Sequence, residues 1–163
     1  MENHFETLGL APRYHIDADG LKARYLDRAR AQHPDRHATA LPAQQAEALR
    51  LSSATNEAYQ ALKSDGKRME HIFRLYGALG SEGQADAALP QDFLMEMMEV
   101  NEALDEMGQD FAQYRDRFEA IRQDVASQAD ALDAELRNAM AAFDAAPEES
   151  RAQVLRGALP AYL

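Results

Sequence analysis

The chain has 163 residues, enough for one domain or two small ones with a core of its own. It contains no cysteine, which excludes a disulfide framework, a thiolate zinc site, cysteine-ligated iron–sulfur clusters and a cysteine nucleophile. The net charge of -11 is uneven: residues 1–77 hold 11 Lys/Arg against 10 Asp/Glu, and residues 78–163 hold 6 against 18, so a near-neutral half joins one that repels nucleic acid and anionic membranes.

No apolar run approaches the ~20 residues of a membrane span, and Met1-Glu2-Asn3-His4-Phe5 lacks the basic and apolar regions of a signal peptide. Val and Ile are scarce, Ala is abundant, and no segment alternates over strand length, so the fold class predicted is all-α. Phe5, Leu8 and Leu10 form a short apolar cluster closed by Gly9 and Pro12, which fits one or two helical turns. Asp17 or Asp19 can cap a helix reaching about Ala31, with Leu21 and Tyr25 one turn apart. Pro34 ends it, because residues before proline avoid the helical region. A loop from His33 to about Pro42 leads to a second helix, with Ala48, Leu51, Thr55, Ala58 and Leu62 on one face, and the two make an antiparallel hairpin. A shorter helix after Gly66 presents Met69, Ile72, Phe73 and Tyr76.

Residues 77–88 carry three glycines and small polar residues where the charge changes, so a boundary is placed there: 1–77, a linker at 78–88, and 89–163. The second half holds a long stripe, Phe93, Met97, Val100, Leu104, Met107, Phe111, Tyr114, Phe118, Ile121 and Val125, continued by Leu132, Leu136, Met140 and Phe143. Gly108 is expected to break it into helices of about 90–107 and 110–143, and Pro147 to start a third carrying Val154, Leu155 and Leu159. Three amphipathic helices with short connections predict an antiparallel bundle.

The most specific feature is His33-Pro34-Asp35. It follows an amphipathic helix bearing Lys22, Arg24, Arg28 and Arg30, opens the loop of the hairpin, and precedes Asn56-Glu57-Ala58-Tyr59-Gln60-Ala61-Leu62 and Lys67-Arg68. Here the chain resembles a J-domain, the module that activates ATP hydrolysis in chaperones of the DnaK class. The resemblance implies that His33, Pro34 and Asp35 form the signature tripeptide and that Lys22, Arg24 and Arg30 form the basic face that docks on the chaperone. Pro34 fixes one backbone angle, Asp35 can pair with a cation, and His33 can donate or accept near neutral pH. Two positions depart from the family pattern: Gln32 stands where Tyr is usual, and Arg28 where an apolar residue is usual.

On the first helix of the acidic half, Leu94, Met95 and Met98 are apolar beside the core stripe, and Leu94, Met98 and Glu102 fall in line at i, i+4 and i+8. A helix apolar on two adjacent faces either widens the core or meets a partner. The segment Asp92-Phe-Leu-Met-Glu-Met-Met-Glu-Val-Asn-Glu-Ala-Leu-Asp-Glu106, with Phe5-Glu-Thr-Leu-Gly-Leu10 and Lys67-Arg-Met-Glu70, resembles the HscB type of co-chaperone in iron–sulfur cluster assembly. That resemblance covers essentially the whole chain. It implies an N-terminal J-domain and a C-terminal three-helix bundle that binds the IscU-type scaffold and delivers it to an HscA-class chaperone. The scaffold contacts implied are Leu94, Met95, Met98, Glu99 and Glu102, with Val154 or Leu155 completing the face. It implies a non-catalytic protein without cofactor; a monomer suits a protein that presents two separate faces, and the near absence of a presequence fits a bacterial cytoplasm.

Other sites are weaker. His33 and His37 are four apart, but Pro34 lies between them and no third ligand is near. Glu96, Glu99, Glu102 and Glu106 invite a di-metal reading, yet such sites use Glu-x-x-His pairs, and no His lies beyond residue 77. Two alternatives stand beside the main reading: a J-protein with a different client, and a small helical enzyme using the carboxylate ladder with a metal.

Overall fold

The computed structural model describes residues 2–33, 36, 39–79, 91–109 and 111–162, and among these the chain forms seven helices and no strand. Pro34, Asp35, His37 and most of the expected linker lie outside the described residues, as do the side chains of Phe93, Glu96, Glu106, Met107, Phe111 and Tyr114.

Helix α1, His4–Leu8, is short and closed at both ends. Asn3 Oδ1 accepts from the amides of Phe5 and Glu6 at 3.1 and 3.5 Å. Gly9 ends the helix at φ +66°, and its N–H and that of Leu10 return to the carbonyls of Glu6 and Phe5. Helix α2, Ala18–Ala31, starts at Asp17, whose carboxylate accepts from the Gly20 amide at 2.7 Å. Helix α3, Pro42–Lys63, begins with proline in its first turn, where the missing N–H costs nothing. Helix α4, Asp65–Leu75, follows at once.

Helix α3 packs against α1, α2 and α4. Phe5, Leu8, Leu21, Ala58, Leu62, Ile72 and Phe73 are the buried core. The hairpin of α2 and α3 is antiparallel: Tyr25 stacks on Tyr59 with centroids 4.3 Å apart, and further along α2 Gln32 meets Thr55. Arg68 is buried, donates from Nη1 to the Leu62 carbonyl at 2.6 Å, pairs with Asp65, and lies over the Tyr14 ring. It closes the last turn of α3, whose carbonyls have no helical partner.

Helices α5, Gln91–Gln109, and α6, Phe111–Ala145, are followed by α7, Glu148–Tyr162, directly after Pro147. The stripe divides into two helices next to Gly108 as expected, with α5 running through the glycine to Gln109, since one glycine near a helix end costs only about 1 kcal/mol. Two stripe residues expected in the core are exposed, Leu104 at 42% and Leu132 at 47%, whereas Ala103 is buried. The buried side of α5 is therefore turned toward Ala103 and Val100, away from Leu104.

The chain forms two compact units. The first comprises Met1–Leu79 with Met140–Arg156, so it takes in the end of α6 and most of α7; the second comprises Gly80–Ala139 with Gly157–Leu163. In the first unit Met140, Phe143 and Leu155 are fully buried. Phe143 meets the Tyr76 ring edge-on at 5.1 Å and carries the Arg151 guanidinium over its face at 5.0 Å.

Candidate docking surfaces

Helix α2 sorts its cations onto different sides. At ~100° per residue, Lys22, Leu26 and Arg30 share one side, and Arg24 projects roughly opposite Lys22. Lys22, Arg24 and Arg30 are all exposed. Arg24 is nonetheless engaged within the module, since its Nη1 donates to the Gly9 carbonyl at 2.9 Å. Arg28 is half-buried, with its guanidinium close beside Gly9. The structure thus groups Lys22 and Arg30 around the exposed Leu26 and turns Arg24 toward the end of α1.

His33 is exposed just past the end of α2, and its carbonyl accepts from the Arg36 amide at 3.0 Å. Pro34 and Asp35, the rest of the tripeptide, lie outside the described residues. Gln32 fits the hairpin through polarity: its Oε1 accepts from the Oγ1 of buried Thr55 at 2.7 Å, so neither group is left unpaired in the interior. Beside it runs a groove of about 520 Å³ between the end of α2 and the start of α3, lined by Ala31, Gln32, Ala43, Ala48 and Leu51 among others. At its edge Arg50 holds the Glu47 carboxyl below the usual carboxylate range by hydrogen bonding at 2.8 and 2.9 Å.

The second surface lies on α5. Leu94, Met95 and Met98 are exposed by 47, 54 and 72%, so these apolar side chains are surface rather than widened core. Glu99 and Glu102 are exposed on the same helix, and the Glu102 carboxylate lies 3.9 Å from Arg117 of α6. Leu94, Met98 and Glu102 share one line, with Met95 and Glu99 beside it. Of the two candidates in α7, Leu155 is fully buried and belongs to the core of the first unit, while Val154 is half-buried. Among the described residues no three His, Asp or Glu side chains gather as metal ligands, and no helix is long and apolar enough to cross a membrane.

Sequence reasoning missed a polar cluster in the first unit. Asp144 accepts from the main-chain amides of Tyr14 and His15 at 2.6 and 2.8 Å, with His15 Nδ1 also 2.8 Å away. Arg151 Nη1 lies 3.2 Å from both the Pro12 carbonyl and the Tyr76 hydroxyl, and 2.8 Å from Glu148. Burial, then the hydrogen bond to Glu148, raises the pKa of the Tyr76 hydroxyl; the hydrogen bond to Tyr76 raises that of Arg151. A separation of about 130 residues leaves no local signal for such contacts.

Residues 89–154 match the family model described as the HSCB C-terminal oligomerisation domain. The chain is 37% identical over 105 residues to a protein of Chromobacterium violaceum and 35% identical over 111 residues to one of Bordetella petrii, each named "Co-chaperone protein HscB homolog". A Ralstonia nicotianae protein of the same name is 34% identical over 103 residues. The alignments take in 64, 68 and 63% of this chain but 59, 65 and 58% of those relatives, less than two thirds of their length. Chaperone HscB from Vibrio cholerae has a similar fold at TM-score 0.58 and 24% identity, covering 99% of this chain and 89% of that one. Human co-chaperone HscB does so at 0.56 and 20%, covering 99 and 77%. Residues 89–154 are thus similar to the C-terminal domain of HscB, the aligned part of the chain is similar to proteins named HscB homologues, and the fold is that of the two solved HscB structures.

Proposed function

We propose that this protein is a non-catalytic co-chaperone that binds an IscU-type cluster scaffold, delivers it to an HscA-class chaperone and stimulates that chaperone's ATP hydrolysis. In this reading residues 1–77 dock on the chaperone through His33, Pro34 and Asp35, with Lys22 and Arg30 supplying charge. Arg24 contributes mainly by holding α2 to Gly9. Residues 89–163 hold the scaffold through Leu94, Met95, Met98, Glu99 and Glu102, and 78–88 link the two functional parts. The protein works as a monomer, in the cytoplasm, without a cofactor.

The observation that carries the reading is the exposure of Leu94, Met95 and Met98 on one helix of the family-matched domain. Three large apolar side chains kept in water are unfavourable unless a partner covers them, and methionines adapt to such a surface. Full burial of such a side chain is worth about 1.5–3 kcal/mol, so covering the part of the three that is still exposed can supply about 3–5 kcal/mol. Holding both partners on one chain raises the concentration of each near the other.

The test is steady-state ATPase of an HscA-class chaperone with this protein, with and without scaffold. Stimulation is expected, and His33→Gln should abolish it while circular dichroism stays unchanged. Replacing Leu94, Met95 and Met98 together by Ala should remove scaffold binding and spare basal stimulation. Equal stimulation by the His33 variant, or unchanged scaffold affinity in the triple variant, would overturn the corresponding half of the reading.

A further inference from the structure

We infer that Asp144 is a positioning residue for the chaperone-docking helix, acting with Arg151 as a clasp on the turn that precedes α2; the inference rests on the chaperone reading above. Both sides of the clasp lie in the first compact unit. Asp144 presents one carboxylate to two consecutive main-chain donors, Tyr14 N–H at 2.6 Å and His15 N–H at 2.8 Å, and its side chain is only 13% exposed. Arg151 takes the other polarity of the same segment, donating to the Pro12 carbonyl at 3.2 Å from a side chain 11% exposed. Its guanidinium is fixed by the Ala146 carbonyl at 3.2 Å, by Glu148 at 2.8 Å and by the Phe143 face.

Residues 12–15 are thus held by an anion on their amides and a cation on their carbonyl. Charge-assisted bonds of this kind are stronger than neutral ones and fix direction as well as distance. The segment leads straight to Asp17, the cap of α2, and Tyr14 is itself pinned beneath Arg68. The clasp therefore sets how the chain enters α2, and with it where Lys22 and Arg30 stand. An apolar contact would stabilise the module equally well but would not orient two successive peptide groups. Without the clasp the start of α2 must be ordered when it docks, which weakens docking and leaves the stimulated step alone.

The test uses the full chain with Asp144→Asn, which keeps the volume and removes the charge, in the same ATPase titration. About five- to tenfold more protein is expected for half-maximal stimulation, with the maximal rate unchanged, and the Tyr14 and His15 amides should exchange faster with solvent. An unchanged half-maximal concentration, or a lower maximal rate at the same concentration, overturns the inference. If the variant does not fold, Arg151→Lys decides: it keeps the charge but loses the guanidinium that donates to the Pro12 carbonyl, and should raise the half-maximal concentration about two- to threefold. No change there overturns the inference. Wild-type protein that gives no stimulation overturns the chaperone reading and this inference together, whereas normal wild-type stimulation with an unmoved variant overturns this inference alone.

Discussion

Mild acid should destabilise the N-terminal module through a single histidine. His71 of α4 is 6% exposed, its ring stacks on His4 with centroids 4.3 Å apart, and its Nε2 accepts the His4 amide at 3.2 Å. A proton on Nε2 would break that bond and place charge in the core. Burial, followed by the nearby His4, lowers the pKa from 6.5 to about 4, and Glu70 opposes this only in part. The folded state thus binds the proton less readily than the unfolded chain, which holds more protons between those two values. The stabilisation is complete above pH 6.5 and is lost as pH falls toward 4. Between pH 7 and pH 5 the loss from this one group is about 2 kcal/mol. For a protein of this size that is roughly 4–8 °C in midpoint temperature. Urea denaturation at both pH values would measure it, with His71→Gln as the comparison, because glutamine can still accept from His4 and does not titrate. The wild type should lose about 2 kcal/mol more than the variant between the two pH values. Equal losses would refute the assignment and leave carboxylates as the source of the acid sensitivity.

Two further outcomes follow from packing. Gly9→Ala places a Cβ at φ +66° and 3.0 Å from an Arg28 guanidinium nitrogen, so the urea midpoint should fall by the equivalent of about 1–2 kcal/mol with an unchanged slope. Phe143→Ala removes a fully buried ring that meets both Tyr76 and Arg151, and thermal unfolding followed at 222 nm should show a loss of about 3–5 kcal/mol.

The helices were legible because their signals are local. Asp17, Pro42 and Pro147 mark the starts of α2, α3 and α7, and Gly9 acts within one turn of the residues it stops. Periodicity also picked out Ala48, Thr55, Ala58 and Leu62 as the buried side of α3. It failed for Leu104 and Leu132, because a stripe gives a direction around a helix but not how far neighbouring elements cover it. The exposed α5 residues had two readings in the sequence, widened core or partner surface, and only their exposure in the fold separates them. The contacts of Asp144 with Tyr14 and of His4 with His71 bridge 130 and 67 residues, and no window of sequence contains both ends.

The arginines of α2 show why composition alone misjudges a docking face. A basic helix suggests a continuous charged surface, yet Arg24 binds the Gly9 carbonyl and the Arg28 guanidinium lies against the same glycine. Those two charges act within the module, on the carbonyl end of α1, where cations are favoured. What remains outward on the opposite side is Lys22 and Arg30, about 12 Å apart along the axis, with Leu26 between them. A partner meeting that side encounters two separated cations around an apolar centre, close to the exposed His33. Exposed cations at that spacing are about one Debye length apart at ordinary salt, so they act nearly independently and steer more than they bind. In the proposed docking, specificity then falls to His33 just after α2 and to the apolar Leu26. This is why the geometry with which the chain enters and leaves α2 matters more than its count of positive charges.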